Sequence, residues 1–270
     1  MPDPLVLYEA ADKVGWVTLN RPDKLNALNM DLRRDLAAAL ARADDDAGTS
    51  VVVLRGAGRS FCVGYDLGGS GNEAWRRDAL KFHQRLSSSL ALELTPWYMK
   101  KPVIASVQGH ALGAGCELAM FCDLTIAADD AKFGEPETRH SQAGPGFVMP
   151  WIIGFKKARE LLYLGDMIDA GTALDLGMVN RVVRREKLAE ATDKLARRLA
   201  LIAPEALAAT KLAINRGADA AGFRNAMQAG IDVVAPLYAA TTEVSAEFRA
   251  RAEKDGLSAA LKWRKAQFEE

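Results

Sequence analysis

Cysteine, histidine and net charge are all scarce in this 270-residue chain, which has three Cys, three His, and 35 basic residues against 35 acidic ones. Cys62, Cys116 and Cys122 are odd in number and match no metal-ligand spacing, so neither a disulfide framework nor a metal site is expected. A reducing, cytoplasmic setting suits them. With no excess charge and no basic patch, nothing would gather a polyanion, which argues against a nucleic-acid partner. No window approaches eighteen apolar residues, so no membrane span is expected. The opening Met-Pro-Asp-Pro has neither the basic start nor the apolar run of a secretory signal. What remains is an ordinary globular composition, 49% hydrophobic and 26% charged. The length suffices for one large domain with a helical appendage, or for two modest domains.

Apolar periodicity divides the chain. Residues 14–19 read as a strand stopped by the turn Arg21-Pro22-Asp23-Lys24. Asn29 is a plausible N-cap, and Leu32, Leu36 and Leu40 recur every four residues behind it, predicting a helix that ends near Gly48. Residues 51–54 form an unbroken apolar run left through Gly56-Ala57-Gly58, the pattern of a parallel strand covered on both faces. Similar punctuation returns at 102–109, at 124–128 and weakly at 179–183. A recurring unit of strand, tight Gly turn and helix therefore predicts an α/β core. Beyond about residue 186 the spacing is helical to the end. Phe223, Met227, Ile231 and Val234 form an apolar stripe in a long helical stretch over 218–251 with no obvious partner. The stripe suits either oligomerisation or a tail folded back on its own core.

Two Gly-bearing turns follow two of these strands. One is Arg59-Ser60-Phe61-Cys62-Val63-Gly64-Tyr65-Asp66-Leu67, and the other runs from Gln108 through Gly113-Ala114-Gly115-Cys116-Glu117 to Ala119. The second leads straight into a helix, which leaves unpaired amides at Ala114 and Gly115 and a place that favours negative charge. A carbonyl oxygen gaining charge during a reaction could be held there if an amide from the Tyr65 turn converged on it. Glu117 and Glu137 follow at a 20-residue interval. Taken singly, Glu117 could complement the helix dipole and Glu137 could be a solvated loop charge.

In order and spacing, the segments around Asn20-Arg21-Pro22, Asn26-Ala27-Leu28, 60–67, 102–123 and Phe133-Gly134-Glu135-Pro136-Glu137 resemble the enoyl-CoA hydratase/isomerase (crotonase) family. The resemblance is collinear from about residue 14 to 183. It implies a spiral of repeated strand-strand-helix units over 1–198, followed by a helical trimerisation region over 199–270. It also implies a homo-oligomer, a trimer or a dimer of trimers, which would account for the stripe in the tail. The amides of Tyr65 and Ala114 then match an oxyanion hole that polarises an acyl-CoA thioester towards an enolate. Ala114 stands where the family usually has Gly, and its methyl group would narrow the site. Glu117 would activate the water that attacks the β-carbon and Glu137 would deliver a proton to the α-carbon, giving a hydratase. Coenzyme A, part of the substrate and not a separate cofactor, would lie along Lys24, Ala27, Leu28, Cys62, Gly64, Asp66 and Leu67, with Gly113, Pro136 and Gly144 lining the acyl end. From its turn alone Lys24 is a solvated charge, and Asp66 would cap its own turn. Other outcomes on the same scaffold are double-bond isomerisation, dehalogenation, thioester hydrolysis, or acyl-CoA binding without catalysis.

The chain departs from the family pattern after Glu137, where 138–151 looks shorter and bulkier than the usual Gly-rich loop. Trp75, Trp97 and Tyr98 would either line the acyl end or cover it. His140 invites a role as a base, but no Ser or Cys stands in a nucleophile motif to use it, so a structural role is preferred. Cys62 and Cys116 read as packing residues beside tight turns.

Overall fold

The computed structural model describes residues 3–67, 78–144 and 147–268. A hairpin opens the chain: β1 (Val6–Ala11) pairs antiparallel with β2 (Val14–Leu19). Asp12 and Lys13 both take positive φ, 51° and 66°, as a tight two-residue hairpin turn needs. Helix α1 (Met30–Asp45) follows and is capped by the Asn29 side chain, which accepts the Leu32 amide as its spacing predicts. Next come β3 (Val51–Gly56), α2 (Ala79–Glu93), α3 (Thr95–Tyr98), β4 (Val103–Val107), β5 (His110–Leu112), α4 (Ala114–Phe121), β6 (Leu124–Ala128) and β7 (Lys132–Gly134). The rest of the core is α5 (Met149–Ile153), α6 (Phe155–Leu164), β8 (Ile168–Asp169), α7 (Ala170–Asp175), β9 (Arg181–Val183) and α8 (Leu188–Leu199).

The strands form two sheets. The larger has the order β1-β2-β3-β4-β6-β9 and is parallel from β2 onwards, while the smaller is β5-β7-β8. Each turn of the chain gives one strand to each sheet: β4 passes through Gly109 into β5, and β6 passes into β7. The recurring unit is therefore strand, strand, helix. Periodicity alone missed the second strand of each unit because three residues are too short for an alternating pattern to register. The large sheet is apolar on both faces, as the unbroken run at 51–54 predicts. Val51, Val53, Ile104 and Ile126 pack under Leu188, Leu195 and Ala196 of α8, while Val52, Leu54, Val103 and Ala105 face the main core.

The tail is helical, as expected, but 218–251 is not one helix. It comprises the end of α9 (Pro204–Ala220), α10 (Phe223–Ala239) and most of α11 (Glu243–Asp255), with α12 (Leu257–Ala266) beyond. Gly222 breaks the first junction at φ 102°, and Thr242 starts α11 with a reciprocal capping box to Ser245. The stripe Phe223, Met227, Ile231 and Val234 has a partner within its own chain: all four are buried in the main core. Phe223 stacks on Trp97 at 4.5 Å, and α10 lies along α2 with the Phe82 and Tyr238 rings 5.6 Å apart. Of the two readings of this stripe, the structure shows the folded-back tail. Lys211 of α9 ties the tail to the core through Asp123 at 2.7 Å.

Candidate active site

Asn26 organises the first Gly turn. It sits at φ 57°, a conformation Asn tolerates better than most residues. Its side-chain amide donates to the carbonyls of Ala57, Ser60 and Phe61, and its Oδ1 accepts the Arg21 amide. Asn26 is itself fully buried, and these bonds hold the 57–62 segment against the core. Strand-like pairing continues the hold: Leu28 bonds the Gly64 carbonyl at 2.8 Å, Asp66 bonds the Leu28 carbonyl at 3.2 Å, and Leu112 bonds the Cys62 carbonyl at 3.0 Å.

The two predicted turns meet. A β-carbon placed on Gly64 would lie 3.3 Å from the Ala114 amide nitrogen, so the chain at Gly64-Tyr65 abuts the start of α4. The amides of Cys116 and Glu117 bond the Gly113 carbonyl at 2.8 and 3.0 Å. Those of Tyr65 and Ala114 make no such backbone bond among the described residues, and they are the two that the family resemblance matches to an oxyanion hole. Ala114 is 2% exposed and begins an ordinary helix, so its methyl group causes no backbone strain.

Glu117 and Glu137 are brought together, Glu117 from the first turn of α4 and Glu137 from the segment after β7. Glu117 is fully buried on α4, and Glu137 turns its Oε2 away from solvent into the same space. Gly113 and Gly144 leave the room. At Gly113 (φ 53°) a side chain would run into the Glu137 carboxyl. At Gly144 a β-carbon would lie 2.7 Å from Glu117 Oε1 and 2.6 Å from Glu135 Oε2. Burial is the main cause that pushes Glu137 up to about 7 and Glu117 well above the usual carboxylate range. For Glu117, the charges of Glu93, Glu135 and Glu137 add to it.

Sequence reasoning missed three members of this cluster. Glu93 ends α2 fully buried and accepts a hydrogen bond from the Tyr65 hydroxyl. It lies three residues beyond Leu90 and seven beyond Leu86 on the apolar stripe of its helix, and a carboxyl on an apolar stripe was a readable signal. Glu135 is 3% exposed, and its Oε1 has no donor. Tyr238 continues the stripe of α10, and its hydroxyl donates to the Ala143 carbonyl at 2.7 Å, closing the site from the tail.

The remaining predicted residues divide by burial. Ala27, Leu28, Cys62 and Gly64 are buried, whereas Lys24 is exposed and Leu67 half-exposed, with Asp66 between them. Asp66 pairs with Arg21 at 2.5 Å, and Arg21 also donates to the Ala27 carbonyl, so this ion pair braces the groove edge. Burial pushes the Cys62 thiol up to about 12 and Cys116 well above its usual value, which agrees with packing roles. His140 packs edge-on against Phe248 at 4.8 Å, and burial lowers its pKa. Trp97 and Tyr98 cover the core and contact the tail; neither lines the cavity described next, and Trp75 lies outside the described residues.

From Glu135, Glu137 and Gly144 a cavity of about 260 Å³ runs outwards between Ala143, Phe147, Leu162 and Tyr163 to Arg159. Apart from the carboxyls, Thr138 and Arg159, its walls are apolar.

A profile for enoyl-CoA hydratase/isomerase matches residues 9–270. The chain belongs to the enoyl-CoA hydratase/isomerase family. Among its relatives, a crotonyl-CoA hydratase of Syntrophomonas wolfei is 34% identical, with 97% of each chain covered. A short-chain-enoyl-CoA hydratase of Clostridium acetobutylicum is also 34% identical, over 96% of this chain and 95% of that one. The crystal structure of an enoyl-CoA hydratase/isomerase from Xanthobacter autotrophicus superimposes with a TM-score of 0.92 at 35% identity, covering 98% of this chain and 99% of the other. The fold is the crotonase fold, with its strand-strand-helix spiral and helical C-terminal region. Among the described residues, no helix is long and apolar enough to cross a membrane.

Proposed function

We propose that this member of the family is an enoyl-CoA hydratase that adds water reversibly across the double bond of a 2-enoyl-CoA thioester. The observation that carries the reading is the approach of fully buried Glu117 and the shielded Oε2 of half-buried Glu137 to the abutting turns of Tyr65 and Ala114. Two amides donating to the thioester oxygen would stabilise the enolate as it forms. Water held at Glu117 would attack the β-carbon while Glu137, near neutrality and able to carry a proton at physiological pH, would protonate the α-carbon. The hydratase names of the 34%-identical relatives support the same outcome.

The pantetheine arm would follow Ala27, Leu28, Cys62 and Gly64, with Lys24, Asp66 and Leu67 towards the nucleotide. The acyl group would enter the cavity beyond Gly113, Pro136 and Gly144. At 260 Å³ this cavity is roughly eight times the share of one water molecule, about 30 Å³, and its apolar walls suit acyl chains longer than crotonyl. Assembly as a homo-oligomer, a trimer or a dimer of trimers, and a cytoplasmic place in fatty-acid metabolism complete the reading.

The test is loss of conjugated thioester absorbance with crotonyl-CoA and with longer 2-enoyl-CoAs. Turnover that falls about 10²–10⁴-fold in Glu117→Gln and in Glu137→Gln is expected. Folded wild-type protein with no turnover at any chain length would sink hydration and leave isomerisation, hydrolysis or binding alone.

A further inference from the structure

We propose that Arg264, on the last helix of the chain, is a positioning residue for Glu137: it holds the main-chain turn that aims the Glu137 carboxyl into the site. The proposal rests on the hydration reading above, because it is there that Glu137 must meet the α-carbon.

The carboxyl is not fixed by bonds of its own. Glu137 Oε2 is shielded from solvent and has no hydrogen-bond donor among the described residues, while Gly113 walls the group on one side. Its place is therefore set by the backbone beneath it, a single short 3₁₀ helix over Pro136–His140. Within that turn the Glu137 carbonyl accepts the Gln142 amide at 2.9 Å, and the Thr138 carbonyl accepts the Ser141 amide at 3.1 Å. The next carbonyl, that of Arg139, meets no backbone amide among the described residues, the usual condition at a helix C-terminus. Arg264 supplies the missing donor: its Nε donates to the Arg139 carbonyl, as basic side chains do for the last carbonyls of a helix.

Arg264 is itself held in place. Its Nη1 donates to Gln267 Oε1 at 2.5 Å, and its guanidinium lies 4.8 Å from the centroid of the Phe268 ring. The same ring carries the Arg139 guanidinium at 4.2 Å, so one aromatic side chain joins both ends of the contact. Two further tail residues act on this segment. The Tyr238 hydroxyl of α10 donates to the Ala143 carbonyl at 2.7 Å, and Phe248 of α11 packs on His140. The hydrogen bonds from α6 reach the turn through side chains. Its Leu162 carbonyl accepts the Thr138 hydroxyl at 2.8 Å, and its Leu164 carbonyl accepts Arg139 Nε at 2.7 Å. Such side chains can turn about their own bonds, whereas Arg264 and Tyr238 grip main-chain carbonyls on either side of Ser141. Without those two bonds the turn is free to drift away from Gly113, and a misplacement of about 1 Å can cost about 10²-fold in rate.

Arg264→Met keeps most of the stem and removes the donor, and Tyr238→Phe keeps the ring and removes the other donor. Each is expected to lower kcat for 2-enoyl-CoA hydration by about tenfold, and the double variant by about 10²-fold, with KM within about threefold of wild type. A role in stability alone predicts a lower unfolding midpoint with normal kcat per folded molecule. A direct contact with substrate predicts a raised KM with kcat kept. Either pattern, or a kcat for Arg264→Met within threefold of wild type, would overturn the proposal. A second readout needs no turnover: hydrogen exchange at the Ser141 and Gln142 amides is expected to speed up about tenfold or more in the double variant, while the large sheet exchanges as in wild type. Unchanged exchange at those amides would also overturn it. If the wild type hydrates no enoyl-CoA, the hydration reading fails by itself. The exchange measurement then decides alone whether the tail holds the turn.

Discussion

The backbone of Gly113 passes so close to the carboxyl of Glu137 that a methyl group on its α-carbon would overlap Oε1. At φ 53° and ψ −129° this residue also holds a conformation that side chains resist. Gly113 is thus both the entry to α4 and the wall that fixes one carboxyl of the site. Gly113→Ala is expected to lower stability by about 1–3 kcal/mol and, by displacing Glu137, to reduce hydratase kcat more than it changes KM. Denaturant unfolding with steady-state kinetics checks both, and full activity in a normally stable variant would refute the wall.

Burial raises the Glu137 carboxyl from its ordinary value of 4.5 to about 7. The folded state therefore holds this proton more tightly than the unfolded chain. The stability it contributes is present below 4.5 and is lost as pH rises through 7. Glu137→Gln carries no charge at either end of that window. The variant should match wild type at pH 4 and exceed it in stability at pH 8, measured by urea unfolding at both pH values. An equal gap at the two pH values would count against the assignment.

Lys211 is 7% exposed and donates to the carbonyls of Pro96 and Lys101 as well as to Asp123, so α9 is pinned to the core by one ammonium group. Lys211 is buried but Asp123 is exposed, so solvent takes up part of the stranded charge and the cost falls below the about 3–5 kcal/mol of a fully buried pair. Lys211→Met is expected to destabilise by about 1–3 kcal/mol, the lost hydrogen bonds to Pro96 and Lys101 included, and the double variant Lys211→Met, Asp123→Asn by less than the sum of its parts. Additivity of the two in unfolding experiments would show that the pair is not coupled.

Leu162 lines the cavity beyond the glutamates. Leu162→Trp should shorten that cavity, cutting kcat/KM for an eight- or ten-carbon 2-enoyl-CoA at least tenfold while leaving crotonyl-CoA within about twofold, a gap of about 1 kcal/mol or more between substrates. Equal losses at all chain lengths would place the acyl group elsewhere.

Much of the core was legible before any coordinates. The strand at Val14–Leu19, the Asn29 cap and the doubly covered run at β3 obey local rules, in which period, capping chemistry and unbroken apolarity act over a few residues. The family motif brought Glu117, Glu137, Tyr65 and Ala114 forward, and the structure gathers all four into one place. The three-residue strands β5 and β7 were invisible because they hold their places by pairing with each other across 22 residues, not by pattern.

Tertiary structure alone decided the rest. The stripe on α10 looks unpartnered in sequence because α2, which covers it, lies well over a hundred residues earlier, and no periodicity records that distance. Glu93 reads as one acid among thirty-five acidic residues until folding buries it against the Tyr65 hydroxyl. By itself the sequence determined the fold, the two abutting turns and a pair of candidate carboxylates, since these are local chemistry in a fixed register. Only the tertiary structure decided how many carboxyls share the site and how strongly each holds its proton, because desolvation and charge repulsion depend on neighbours brought from α1, α2, α4 and α10.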